Sequence, residues 1–82
     1  MFDKLKQLNQ LRQIQKTIEA ETLTHEKNNI RDTIDGKMAI KELALDPARS
    51  PGDQEKVVKE CINEAMQKMQ QLMAQKMAGL MQ

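Results

Sequence analysis

The spacing of apolar residues changes twice along this chain, and each change marks a boundary between helix and strand. Residues 5–18 repeat apolar side chains every three or four positions, which is helical spacing. Residues 21–45 instead form short β-compatible runs, and helical spacing returns after residue 50. This order predicts an α+β fold, α-β-β-β-α, with a three-stranded antiparallel sheet between an N-terminal amphipathic helix and a long C-terminal helix.

A short polar segment, Asn28-Asn29, separates the first two predicted strands. Asparagine tolerates positive φ, which two-residue hairpin turns require. A turn of this length places Leu23 opposite Ile34, so that apolar side chains share one face of the sheet.

A second turn is predicted at Asp35-Gly36, because glycine also tolerates positive φ. With this turn, Ile34 is expected to lie opposite Met38. The apolar alternation then slips by one residue before the third strand ends, so we expect a β-bulge near Lys41 and Glu42.

The second helix is predicted to begin at Ser50-Pro51, with serine as the N-cap and proline at the first helical position. Its apolar surface is wider than one neighbouring element would cover. A domain of this size buries only about 60% of its unfolded surface, so a second copy of the chain is the simplest additional partner. The predicted dimer interface comprises Leu43, Leu45, Val58, Ile62, Met69 and Leu72. The alternative is that these residues belong to the core of a single chain.

Cysteine and methionine usage indicates packing rather than chemistry. Cys61 is the one cysteine, so an intrachain disulfide and a cysteine metal cluster are excluded, and its place on the apolar stripe predicts a small buried hydrophobic residue. The methionines are predicted to fill the core or the dimer seam, or alternatively to form a groove for a partner helix. They are Met66, Met69, Met73, Met77 and Met81.

The net charge of +1 conceals an uneven distribution along the chain. Residues 1–18 carry a net charge of +3, residues 65–82 carry +2, and the segment between them carries −4. The start of the first helix and the end of the second both point away from the sheet, so the two basic ends are expected to lie together as a positive arm. Such a surface attracts the phosphate backbone with little sequence preference.

No catalytic constellation is evident in the sequence. His25 is the one histidine, and the predicted register pairs it with Asp32 as a cross-strand polar contact. No phosphate-binding glycine loop or metalloprotease motif is present, so we expect no enzymatic activity, metal, cofactor or small-molecule substrate. No membrane span or signal peptide is evident, which predicts a cytoplasmic protein with no membrane partner.

Two segments carry a resemblance to a known family. IDGKMAIKELALDP, residues 34–47, and CINEAMQKMQ, residues 61–70, together with the order of the elements, resemble the YbaB/EbfC family of nucleoid-associated proteins. The resemblance extends to nearly the whole chain, and we treat residues 1–82 as one domain of this type.

The resemblance implies a tweezers-shaped homodimer in the nucleoid, whose protruding helices bind duplex DNA and contribute to nucleoid organisation and gene expression. It assigns the DNA contacts to basic residues of the two helices. The alternative is a protein-interaction module that uses the Met-rich C-terminal helix. The assigned DNA-binding residues are Lys4, Lys6, Arg12, Lys16, Lys68 and Lys76.

Overall fold

The chain folds as two helices and one antiparallel sheet. The computed structural model describes the backbone of residues 2–80 and the side chains of residues 3–79, so Met81 lies outside the described residues. The strands are hydrogen-bonded in the order β1-β2-β3. The predicted α+β arrangement is confirmed. The elements are α1 (Phe2–Glu19), β1 (Thr22–Lys27), β2 (Ile30–Asp35), β3 (Ile40–Ala44) and α2 (Pro51–Leu80).

The hairpin between β1 and β2 has the predicted register. Leu23 pairs with Ile34, and the turn consists of Asn28 and Asn29, with φ values of 50° and 68°. Both residues therefore lie in the left-handed region, which asparagine enters at less cost than most side chains.

The pairing of β2 with β3 contains the predicted bulge. Thr33 pairs with Glu42 and Ile34 with Ile40, which leaves Lys41 as the extra residue on β3. The prediction that Ile34 lies opposite Met38 is wrong, because Met38 still belongs to the loop after β2. Strand β3 begins at Ile40, and Ile40 is the residue that pairs with Ile34.

That loop is held by the carboxylate of Asp35. One carboxylate oxygen accepts hydrogen bonds from the backbone N–H groups of Lys37 and Ala39, at 2.9 and 3.0 Å. The predicted positive φ does not fall on Gly36; it falls on Met38, at 64°.

The core lies between one face of the sheet and α2. Ser50 Oγ accepts a hydrogen bond from the backbone N–H of Asp53 at 3.4 Å, so the predicted N-cap of α2 is confirmed. Cys61 is fully buried, as predicted. The two clusters of buried side chains are Ile30 with Val57 and Cys61, and Ile34 with Ala65 and Met69.

Helix α1 projects from the body along the long axis of the molecule. The Cα atoms extend over 61 × 18 × 13 Å, whereas α2 alone is about 45 Å long and α1 about 27 Å. Met77, near the end of α2, lines a groove with Leu11, Ile14 and Ile18, in the second half of α1. The first half of α1 therefore extends past α2, and residues 3–13 are all exposed. We refer to α1 as the arm.

Candidate nucleic-acid interface

Three cations of the arm form one row. Lys4, Arg12 and Lys16 occupy positions related by multiples of four residues, with Leu8 filling the remaining place. Each step of four advances about 6 Å and turns about 40°, so the row extends over about 18 Å and turns through about 120° around the helix from Lys4 to Lys16. All three cationic residues are exposed.

Lys6 is also exposed, but it lies about 200° around the helix from Lys4 and so occupies another side of the arm. The arm is therefore positive on more than one side. Arg12 and Lys16 lie about 40° apart and present two charges in nearly one direction, and Lys4 lies about 80° around the helix from Arg12.

The two α2 cations assigned to DNA binding, Lys68 and Lys76, have partners on the body. Lys76 Nζ lies 3.5 Å from Glu21 Oε1, next to the end of the arm. Lys68 Nζ lies 3.1 Å from His25 Nδ1, about 12 Å further along α2 towards the sheet. The structure thus places these cations behind the arm in a line rather than in one compact patch.

His25 lies on β1 between two charged residues of α2. Its imidazole is 9% exposed, and Nε2 lies 3.6 Å from Glu64 Oε1. Glu64 also accepts a hydrogen bond from Lys27 at 2.5 Å, and this contact holds the pKa of the Glu64 carboxyl below its usual value. The same hydrogen bond raises the pKa of the Lys27 ammonium.

Asp32 lies directly opposite His25 in the sheet, as predicted. Its carboxylate oxygen Oδ1, however, accepts a hydrogen bond from the Cys61 thiol, with an Sγ–O distance of 3.4 Å. Burial raises the pKa of that thiol to about 11, and the hydrogen bond to Asp32 adds to the shift. Cys61 is therefore a neutral thiol at physiological pH and poorly suited to act as a nucleophile.

The predicted dimer-interface residues fall into an exposed group and an internal group. Leu43 and Leu45 are 43% and 53% exposed. Val58 and Ile62 are half-buried on α2, and Leu72 is half-buried against the core. Met69 is fully buried within the single chain. Whether these residues meet a second copy stays a prediction.

Sequence reasoning missed the acidic and imidazole partners of the α2 cations. Glu21 stands in a predicted strand pattern that carries no sign of Lys76, a partner so distant in sequence. A histidine on the helix-facing side of a predicted strand could have indicated the contact with Lys68, but this pattern is not specific. Within residues 3–79, no group of three or more potential ligands is arranged to hold a metal ion. Among the described helices, neither has the length and apolar character needed to cross a membrane.

An exposed row of cations on a projecting helix, joined to a small α+β body, is the arrangement of a nucleic-acid-binding protein. Comparison with known protein families matches residues 1–82, the whole chain, to the YbaB/EbfC DNA-binding family. The chain therefore belongs to the YbaB/EbfC DNA-binding family, as the resemblance of its sequence indicated. No curated protein matches the chain at a significant level.

Proposed function

We propose that the protein is a non-enzymatic, nucleoid-associated protein that binds duplex DNA through the arms of a homodimer. The observation that carries this proposal is the exposed row formed by Lys4, Arg12 and Lys16. Lys6, Lys68 and Lys76 extend the positive surface around and behind it. Such a protein would act in nucleoid organisation and gene expression.

The cations are suited to phosphate contacts rather than to base recognition. They are separated along the arm and exposed, so each can meet a phosphate and release counterions. The chain has no tryptophan or tyrosine and one phenylalanine, which leaves little for stacking on unpaired bases. Duplex DNA bound with little sequence preference is therefore the favoured ligand.

A homodimer is supported by the apolar edge of the sheet. Strand β3 is exposed along its whole length and forms one edge, where unpaired backbone groups favour association with another chain. Leu43 pairs with the buried Asp32, so both side chains lie on the helix-bearing face. Because β1 packs beside Glu64 of α2, the opposite flank of that helix, which carries Val58 and Ile62, lies towards the β3 side of the sheet.

These residues form the proposed contact between subunits, and fully buried Met69 supports it from beneath. The proposed interface comprises Leu43, Leu45, Val58, Ile62, Met69 and Leu72.

The alternative function, docking of a partner helix on the methionines of α2, has less support. Met69 is fully buried in the core, and Met66 and Met73 pack against the same cluster. Met77 is 43% exposed, but it lies at the base of the arm. Met66, Met69 and Met73 already pack in the chain's own core beneath the sheet, which leaves little of their surface for a partner helix.

The test is a titration of labelled duplex DNA at two salt concentrations with the native protein and two variants. The first variant replaces Lys4, Arg12 and Lys16 with Gln. The control variant replaces three exposed lysines outside the arm and removes the same charge, at Lys37, Lys56 and Lys59. Circular dichroism and thermal unfolding confirm that each protein is folded.

We expect the native protein and the control to bind at low salt and to lose affinity as salt rises. The arm variant should lose most binding, and its salt slope should fall by about 0.9 for each phosphate contact removed. Equal loss in both variants would show that net charge alone attracts DNA. No binding by the native protein at low salt would refute the proposal.

A further inference from the structure

The contact between His25 and Lys68 requires one protonation state of the imidazole. A lysine ammonium donates hydrogen bonds and accepts none, so at 3.1 Å the Nδ1 atom of His25 must act as the acceptor. The neutral ring then carries its proton on Nε2, which lies on the side of Glu64. In this state the imidazole holds the Lys68 ammonium against the body.

Protonation of the ring reverses the contact. An imidazolium has a donor on both nitrogens, so Nδ1 and the Lys68 ammonium become two positively charged donors facing each other. Nε2 remains directed at the Glu64 carboxylate, which attracts the new charge. Lys68 is an exposed residue on a flexible stem and is the partner free to move.

The surroundings of His25 accommodate the added charge. Asp32 is fully buried directly opposite, and within the described residues its Oδ2 atom has no hydrogen-bond partner. Lys27 is itself bound to Glu64, and the Sγ atom of Cys61 lies 3.7 Å from the His25 carbonyl oxygen. The groups that face His25 are Lys27 of β1, Asp32 of β2, and Cys61, Glu64 and Lys68 of α2.

We propose that protonation of His25 releases Lys68 from the body and so strengthens DNA binding below neutral pH. This regulation rests on the proposed function, because Lys68 belongs to the positive surface behind the arm. Histidine is the side chain that ordinarily changes charge between about pH 5 and 8.

The release is tested first without DNA, by NMR of the isotopically labelled protein. The side-chain resonances of Lys68 should shift with pH and follow the titration of the His25 ring. His25→Gln, which retains an acceptor but does not titrate in this range, should make them insensitive to pH. Lys56, about 18 Å further along α2, serves as the control lysine. A Lys68 signal that does not follow His25 overturns the inference, whatever the protein does with DNA.

The consequence for DNA is tested by measuring affinity at about pH 5.5 and about pH 8, at fixed ionic strength, on either side of the usual histidine titration. Acidification should tighten binding by the native protein about threefold to tenfold more than binding by His25→Gln or Lys68→Gln, which is the scale of one added phosphate contact. Lys68→Gln changes an exposed side chain and should fold as the native protein does.

The outcomes separate this inference from the proposed function. If either variant keeps the full gain at acid pH, Lys68 is not the group that His25 controls. If Lys68 follows His25 but the native protein binds no DNA at low salt, the DNA-binding proposal and its regulation both fail.

Discussion

A Cβ atom at position 36 would lie 1.9 Å from the carbonyl oxygen of Ile18. The turn after β2 therefore meets the last turn of the arm backbone to backbone. The N–H of Gly36 also donates to the Glu21 carbonyl at 2.9 Å, just before β1. Glycine is needed here for space, and this junction fixes the direction in which the arm leaves the sheet.

Gly36→Ala should be strongly destabilising, because the clash involves backbone atoms that cannot rotate away. We expect the free energy of unfolding to fall by about 3 kcal/mol, as for severe overpacking. Urea denaturation measures the change. Gly52→Ala is the matched control: nothing lies within 4 Å of its Cβ, and it stands in a helix, where alanine is favoured. Equal stability of the Gly36 and Gly52 variants would contradict this account of the junction.

Leu43→Lys should produce a monomer without unfolding the chain. The side chain is 43% exposed in a single copy, so the substitution costs little within the subunit, whereas it places a charge in the proposed dimer interface. Sedimentation velocity measures the mass, and circular dichroism the fold. Leu5→Lys, at a leucine of the arm that is 62% exposed, is the control and should remain dimeric. Dimers of unchanged affinity for Leu43→Lys would place the interface elsewhere.

Asp35 should make the fold sensitive to acid. Hydrogen bonds from the backbone N–H groups of Ala39 and Lys37, together with nearby Lys41, lower the pKa of this carboxyl. The ionised form therefore stabilises the folded chain above the unfolded pKa of about 3.9, and this contribution is lost as pH falls through the lower folded value.

Asp35→Asn should accordingly be less stable than the native protein at neutral pH and should lose less stability on acidification. Urea denaturation at neutral and acid pH measures both effects. Glu42→Gln, at an exposed position of β3, should keep the native acid sensitivity. If the Asn variant loses as much stability as the native protein, the turn does not depend on the charge of Asp35.

The sequence contained enough information to predict the hairpin register but not the arm junction. Asn28-Asn29 limits the loop to two residues, and that length determines every pair from Leu23↔Ile34 onward. The bulge at Lys41 followed from the position of apolar residues in the same way. The role of Gly36 depends on the approach of a segment 18 residues earlier in the chain, and local turn propensity contains no information about it.

The candidate site likewise combines features that the sequence predicts with features that it does not. The exposed row of the arm was predictable, because helical spacing alone determines how the residues of the arm are placed around its axis. The partners of Lys68 and Lys76 were not, because they depend on which strand passes beside α2 and at what height. Sequence reasoning treated both as free cations, whereas the structure engages each with a residue near or on β1.

The projecting half of the arm has a thermodynamic consequence. Residues 3–10 are all exposed, so their helix receives little tertiary support, and isolated helices shorter than about 12–15 residues are marginal in water. Amide protons in these turns should exchange rapidly, while those of the second half, anchored by Ile18, are protected. Phosphates bound by Lys4, Arg12 and Lys16 would oppose fraying by neutralising the like charges of the arm. Part of the binding free energy is then spent on ordering the helix, so the affinity for DNA depends on the helix propensity of the arm as well as on its charge.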